Sequence, residues 1–216
     1  MLMTKLGHST LRFDNDDATL IIDPGGFTPP IEDVTRPAVI VITHLHPDHW
    51  TPEQIAGIAA TAPSLRILGP AGVVAAAEEA GIDVDRVGPG DEVTANGFRL
   101  EFHGGVHALI HSSIPRIDNV GVLVDGLVYH PGDSLQVPPT TVPVLAAPAG
   151  APWLKISEAI DYVLAVAPER CFPIHEAVLS EAGLALANDR LRWATELGGG
   201  EYLPLSAGDT LSLDAS

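Results

Sequence analysis

Cysteine is nearly missing from this chain. Cys171 stands alone, so no internal disulfide can form, which suits a reducing, cytoplasmic setting. Basic residues are also scarce: 11 Lys and Arg stand against 28 Asp and Glu, a formal charge of −17. A field of that sign works against nucleic acid and anionic membrane surfaces as partners. No apolar run approaches the roughly 20 residues that a membrane span needs, and "MLMTKLGHST" lacks the basic, apolar, small-residue layout of a secretory leader. Low-complexity tracts, long linkers and tandem short repeats are absent too. What remains is a protein expected to meet a small-molecule substrate, with assembly into a homo-oligomer left open.

The composition present is globular, with 46% apolar and 18% charged residues over 216 positions, enough for one domain, 1–216, with a sizeable core. Its elements come in two similar batches, about 1–110 and 118–216. The first opens with "KLGHSTLRF" and "ATLIID", joined by the turn-like "DNDD", and then gives the buried strand "AVIVIT". A helix follows in "TPEQIAGIAA", where Thr51 can cap, Pro52 fits the first turn and Gln54 completes a capping box. Strand "RILG", a helix "PAGVVAAAEEAG" closed by Gly81 and strand "FRLEFH" complete this batch.

In the second batch, Asp125-Gly126 between two β-branched runs predicts a tight hairpin. "TVPVLAA" reads as a buried strand, Ile156 to Val166 as an amphipathic helix, "RCFPIH" as a strand and 184–197 as a helix. "EYLPL" and "TLSLD" end the chain as strands. Two β-rich halves with helices after their strands predict an α/β protein: a four-layer αββα sandwich, two mixed sheets face to face with helices outside.

Chemistry concentrates in "THLHPDHW" at 43–50, straight after the apolar run. Imidazoles and carboxylates bind zinc and similar ions. His44 and His46, two apart on a turn, can hold one ion, and Asp48 with His49 can face a second. Pro47 stiffens the bend between the pairs. A lone histidine is more often a solvated or core side chain, but four liganding residues at this spacing reverse that expectation. His175 ends "CFPI" in the same strand-to-loop placement as His44. Asp133 follows Pro131-Gly132 at another strand exit, where a single aspartate is usually structural.

"THLHPDH" resembles the His-x-His-x-Asp-His signature of the metallo-β-lactamase fold superfamily, whose fold is an αββα sandwich. "LIIDPG" at 20–25, "GGVHALIH", "HPGDS" and "CFPIH" resemble the superfamily's other site segments, in the expected order. "KLGHST" resembles the opening of a branch that includes the ascorbate-6-phosphate lactonase-like proteins. The resemblance implies two divalent cations, zinc first, with manganese or iron also acceptable to such ligands. By that resemblance His44, His46 and His107 hold one ion, Asp48, His49 and His175 the other, and Asp133 bridges both. His107 is preferred over His103 and His111, four residues to either side, because it follows a strand that Gly104-Gly105 lead out of. Asp23 corresponds to a buried carboxylate orienting the metal-binding loop. His8 and His130 are expected near the site.

The implied activity is that of a dinuclear metal-dependent hydrolase of small molecules. A water shared by the ions, its pKa brought from about 15.7 towards roughly 7, becomes a bridging hydroxide that attacks a carbonyl or phosphoryl centre. Asp48 would orient it, and water or His111 would protonate the leaving group. Lactones or other esters come first as substrates. A phosphodiesterase acting on a small phosphorylated or cyclic substrate is the alternative, and a non-catalytic metal-binding protein comes third. Arg116 in "HSSIPRIDN" could pair with a substrate phosphate or carboxylate. Trp50 and Trp153 are candidates for the pocket wall.

Overall fold

The computed structural model describes residues 1–213. Along the chain run β1 (Leu2–Gly7), β2 (Thr10–Asp14), β3 (Thr19–Ile22), β4 (Ala38–Val41), α1 (Pro52–Thr61), β5 (Leu65–Gly69), α2 (Ala71–Glu79) and β6 (Asp85–Arg86). There follow β7 (Glu92–Ala95), β8 (Phe98–Gly104), β9 (Val120–Val124), β10 (Val128–His130) and β11 (Val144–Pro148). The last elements are α3 (Ile156–Val166), β12 (Arg170–Ile174), α4 (Glu181–Leu197), β13 (Glu201–Tyr202) and β14 (Thr210–Ser212).

Alternation along the strands sorts their side chains into three cores. Leu20 and Ile22 of β3, with Val39 and Val41 of β4, face Val120, Val122 and Val124 of β9 and Phe172 and Ile174 of β12 in one shared core. The intervening Ile21 and Ile40 turn the other way, onto Ile55 and Ile58 of α1 and Val73 and Ala77 of α2. Leu123, Leu145 and Cys171 likewise turn out onto Tyr162 and Val163 of α3 and Leu191 and Ala194 of α4. Strands buried on both faces need no polar alternation, which is why they read as continuous apolar runs. Three cores separate four layers, and the αββα sandwich is the result.

Both sheets have seven strands, in the orders β14-β1-β2-β3-β4-β5-β6 and β13-β12-β11-β10-β9-β8-β7. In the first, β1 to β3 pair antiparallel and β3 to β6 parallel. In the second, β7 to β10 pair antiparallel and β10 to β13 parallel. Sheet membership changes between β6 and β7, and β14 returns to pair with β1. The exits of β3, β4, β10, β11 and β12 gather at one end, where ligands of open parallel sheets ordinarily bind.

Some local readings need correction. "KLGHSTLRF" is not one strand: the chain folds back at His8, whose φ is 47°, and β2 returns antiparallel to β1. Strands β6 and β7 have no counterpart in the sequence pattern. Helix α4 starts at Glu181, earlier than 184, because the Ser180 hydroxyl accepts from Gly183 N and caps it. Thr51 caps α1 as expected, but Gln54 does not close a box with it. Its Nε2 donates instead to the carbonyls of Gly25, Thr28 and Pro29, and its Oε1 accepts from Ile31 N, clamping the loop after β3. "EYLPL" is strand only at Glu201–Tyr202, and the final Asp214 of "TLSLD" lies outside the described residues. The Asp125-Gly126 hairpin is present, with both residues at positive φ, as a type I′ turn requires.

Candidate metal centre

Two of the loops that carry the centre are each fixed by buried hydrogen bonds. Asp23 leaves β3 fully buried at a φ of 50°. Its Oδ1 accepts from Thr43 N at 2.7 Å, and its Oδ2 accepts from Thr43 Oγ1 at 2.8 Å and lies 2.7 Å from His49 Nδ1. A Cβ on Gly25 would overlap the Asp48 carbonyl, so the chain beneath the histidine loop has to be glycine there. Trp50 is 6% exposed, packs with Ile55 and Ile58, and donates to Leu45 O at 3.3 Å. It supports the loop from below and does not wall a pocket.

Asn119 organises the second loop. Its Nδ2 donates to Pro131 O at 2.9 Å and its Oδ1 accepts from Asp133 N at 2.9 Å. Gly132, at a φ of 60°, sits where a Cβ would collide with Asn119 and Thr43. His130 accepts from Gly132 N on Nδ1 at 3.0 Å and donates from Nε2 to Ser9 O at 2.8 Å, tying this loop to the β1–β2 turn.

On this frame two groups of ligand atoms converge, each lying within 4.8 Å of one another: His44, His46, His107 and Asp133, and His8, Asp48, His49 and His175. His44 Nε2 lies 3.0 Å from His46 Nδ1. Asp133 reaches into both groups, with Oδ2 3.3 Å from His107 Nε2 and 3.2 Å from His175 Nε2, and Oδ1 3.1 Å from His49 Nε2. His49 Nε2, His107 Nε2, His175 Nε2 and Asp133 Oδ1 are buried without a hydrogen-bond partner. Orphaned buried polar atoms are costly, and cations held by the two groups would satisfy them.

The far ring nitrogens strengthen that fit. Nδ1–H of His49 donates to Asp23, that of His107 to Ala108 O at 2.6 Å and that of His175 to Gly150 O at 2.7 Å. Each ring therefore presents an unprotonated Nε2 to the centre when neutral. His8 is the reverse case. Its Nδ1 accepts from Ala177 N at 3.3 Å, so the proton sits on Nε2 and donates to Asp48 Oδ2 at 3.2 Å. By distance His8 joins the second group; by tautomer it orients Asp48. Imidazole with carboxylate is a donor set that suits zinc, manganese or iron.

Electrostatics follow the crowding. Burial and the neighbouring His49 hold His44 well below its ordinary pKa. Burial pushes His49 down as well, but Asp133 and Asp23 outweigh it and raise it well above. His175 opposes the same burial with the carboxylates of Asp133 and Asp48, 3.2 and 3.5 Å from its Nε2, and rises to about 9. Burial pushes the Asp133 carboxyl up, yet the His49 charge and the His107 and His175 rings, 3.3 and 3.2 Å away, hold it well below the usual range. Asp48 is depressed against burial by the His175 ring, 3.5 Å away, and by the hydrogen bond from His8.

Of the residues singled out in the sequence, His8, Asp23, His44, His46, Asp48, His49, His107, His130, Asp133 and His175 are brought together. His111 is not: it is exposed, its Nδ1 lies 2.7 Å from Ser113 Oγ, and it belongs to neither group. His103 stays on β8, 6.0 Å from the Tyr129 ring and outside both groups. Arg116 donates through Nε and Nη2 to His107 O, at 3.0 and 2.7 Å, and lines the cleft beside the centre. The tryptophan at the centre is Trp153, whose Nε1 donates to Asp133 Oδ2 at 2.8 Å. Sequence reasoning missed that bond and the role of Asn119. The available signal for Trp153 was its place just beyond "VLAAP", a strand exit like that before His175.

Residues 2–175 match the family model described as Beta-lactamase superfamily domain, and the chain belongs to that superfamily. Protein Rv0786c of Mycobacterium tuberculosis is 38% identical to it over 196 residues, covering 88% of this chain and 91% of that protein. The UPF0173 metal-dependent hydrolase mll0680 of Mesorhizobium japonicum is 30% identical over 166 residues, covering 62% of this chain and 63% of its own. The solved structure of Igni18, a novel metallo hydrolase from the archaeon Ignicoccus hospitalis, shares the fold. It has a TM-score of 0.76 at 19% identity, over 100% of this chain and 99% of that one.

Proposed function

We propose that this chain is a metal-dependent hydrolase acting on a small molecule at two divalent cations, zinc first, with a lactone or other ester as the favoured substrate. The observation that carries the reading is the Asp133 carboxylate, within 3.3 Å of a histidine from each ligand group. The similarity to a protein named a metal-dependent hydrolase supports it. His44, His46 and His107 would hold one ion, Asp48, His49 and His175 the other, and Asp133 both. When bound, such ions supply Lewis acidity and lower the pKa of water.

The chain's own groups supply the rest. Trp153 N–H fixes one oxygen of Asp133, leaving Oδ1 turned to His49. His8 Nε2–H fixes Asp48, whose side chain is 20% exposed against 4% for Asp133. Asp48 is therefore the more solvent-open carboxylate and, held ionised, would orient the attacking water, while water would protonate the leaving group; His111, turned to Ser113, belongs to neither ligand group. A buried lone cysteine fits a cytoplasmic setting.

Element analysis of the purified protein, with turnover of lactones, esters and bis-nitrophenyl phosphate before and after chelation, tests the proposal. The expected result is metal-dependent lactone or ester hydrolysis. Preference for the phosphodiester would favour the alternative reading, for which Arg116 is the motive. Turnover of none, with unfolding on chelation, would reduce the ions to a structural role.

A further inference from the structure

A cleft of about 600 Å³ lies against the centre and shares Trp153 with it: the indole walls the cleft while its N–H holds Asp133. Val106, Leu109 and Ile110 form one side, and Leu135, Leu154 and the Trp153 ring form the other. Val106, Leu109 and Ile110 are 49%, 55% and 37% exposed, three large apolar side chains left to water within five residues. Apolar surface concentrated at the lip of a cleft marks a binding site more than chance exposure does.

Two cationic groups interrupt this apolar lining, Arg116 and Lys155. Arg116 spends Nε and Nη2 on His107 O, which leaves Nη1 for a ligand. Glu158 also lines the cleft, but its Oε2 accepts from the Lys155 backbone N at 3.0 Å, at the start of α3. In a chain of charge −17, a cleft with more cations than anions runs against the global field. A second groove, about 430 Å³ between α1 and β5, offers the contrast. It is apolar, carries only Asp83 as a charged lining residue and has no basic group.

We infer that the cleft binds an amphiphilic oxyanion: an organic molecule with an apolar chain or ring for the Val106–Trp153 walls and a carboxylate or phosphate for Arg116 and Lys155. This rests on the hydrolase reading only in calling that molecule the substrate. Its scissile group would lie between the two features, beside Asp133. Because Arg116 also grips the His107 carbonyl, the head group and the third histidine of the first ligand group share one guanidinium.

Binding can be measured without turnover, by calorimetric titration of the purified protein with butanoate, octanoate, octyl phosphate and octanol. Octanoate or octyl phosphate should bind more tightly than octanol, and each methylene added from butanoate should gain about threefold to fourfold. Lys155→Gln should weaken the octyl anions about threefold and leave octanol unchanged. Leu109→Ser, at an exposed position that should tolerate it, should weaken octanoate by about threefold or more and butanoate less. Equal affinity for butanoate and octanoate would overturn the inference. So would anion binding that is abolished by chelation yet indifferent to Lys155→Gln, since the anion would then sit on the ions. Chain-length-dependent binding with no hydrolysis of any ester would sink the hydrolase reading and leave the cleft standing; hydrolysis indifferent to chain length and to Lys155 would do the opposite.

Discussion

The two ligand groups are held by different means. His44, His46 and His107 come off backbone in ordinary regions of φ, and His44 and His46 share one loop. The second group is built on strain. Its His8 and His175, and Asp23 behind its His49, sit at φ of 47°, 62° and 50°, three of the non-glycine residues in the left-handed region among those described. Such conformations cost on the order of 1–3 kcal/mol each and persist only where the surroundings enforce them. Here the enforcement is mutual: His175 N donates to His8 O at 3.1 Å, and Ala177 N donates to His8 Nδ1. Behind them Lys5, fully buried, pairs with Glu176 at 2.5 Å and donates to Leu205 O at 3.0 Å. The first group thus joins the exits of β4, β8 and β10 on ordinary backbone, whereas the second adds a dependence on β1, β3, β12 and the chain before β14. Its ion should be the one lost first when the fold is disturbed.

Asp133 belongs to both groups, so its removal should erase the distinction. Asp133→Ala is expected to lower hydrolysis by about a thousandfold or more, with both ions weakened and far-UV circular dichroism unchanged. Near-normal rates would remove Asp133 from the centre. Lys5→Met attacks only the second group's brace. It strands the Glu176 carboxylate, and breaking one side of a buried pair costs about 3–5 kcal/mol. Thermal unfolding should shift down accordingly, and the folded fraction should retain one ion more firmly than the other. Equal loss of both ions would contradict this division between the groups.

A smaller and more local effect is expected from Asp23→Asn. The substitution weakens the acceptor for His49 Nδ1–H while keeping the hydrogen bond from Thr43 N. Loss of such a partner typically costs about 10–100-fold in metal affinity. Competition with a chromogenic chelator should show one weakened site and one unchanged site.

The contrast between the groups also explains what the sequence made legible. His44 to His49 were readable because a strand exit and a proline-stiffened turn put them together without help from the rest of the chain. Asp23, Asp133 and His175 could be found because each ends an apolar run, and parallel strands of one sheet deliver their exits to the same end. The reversal at His8 was not readable: "GHST" between two apolar stretches continues a strand equally well until His175 and Asp48 claim its ring. Trp50 and Trp153 could not be told apart either, since which indole faces the core depends on α1 packing over β4. Gln54 matched a capping pattern three residues after Thr51, but the loop at 25–31 competed for its amide and won. His111 failed because its loop turns the ring to Ser113, a choice made by a few exposed residues with no periodic signal.

The finest test of the second group is its response to pH. Burial lowers the His175 imidazole, and the nearby carboxylates of Asp133 and Asp48 more than offset this, lifting its pKa from the ordinary 6.5 to about 9. A base raised in this way stabilises the fold fully below its unfolded pKa and loses that contribution as pH climbs through the folded value. Chelated protein should therefore lose melting temperature between pH 6.5 and about 9. His49 is raised as well and acts in the same direction. His44, held low by burial, acts only on the acid side of 6.5 and offsets nothing in this window. Loading with metal requires those protons to leave, so uptake should release protons and tighten with rising pH, and the loaded protein should show no such decline. Calorimetry in buffers of differing ionisation enthalpy counts the protons. A melting temperature of the chelated protein that stays level from pH 6.5 to 9 would mean that His175 and His49 do not carry the charge that Asp133 and Asp48 are arranged to hold.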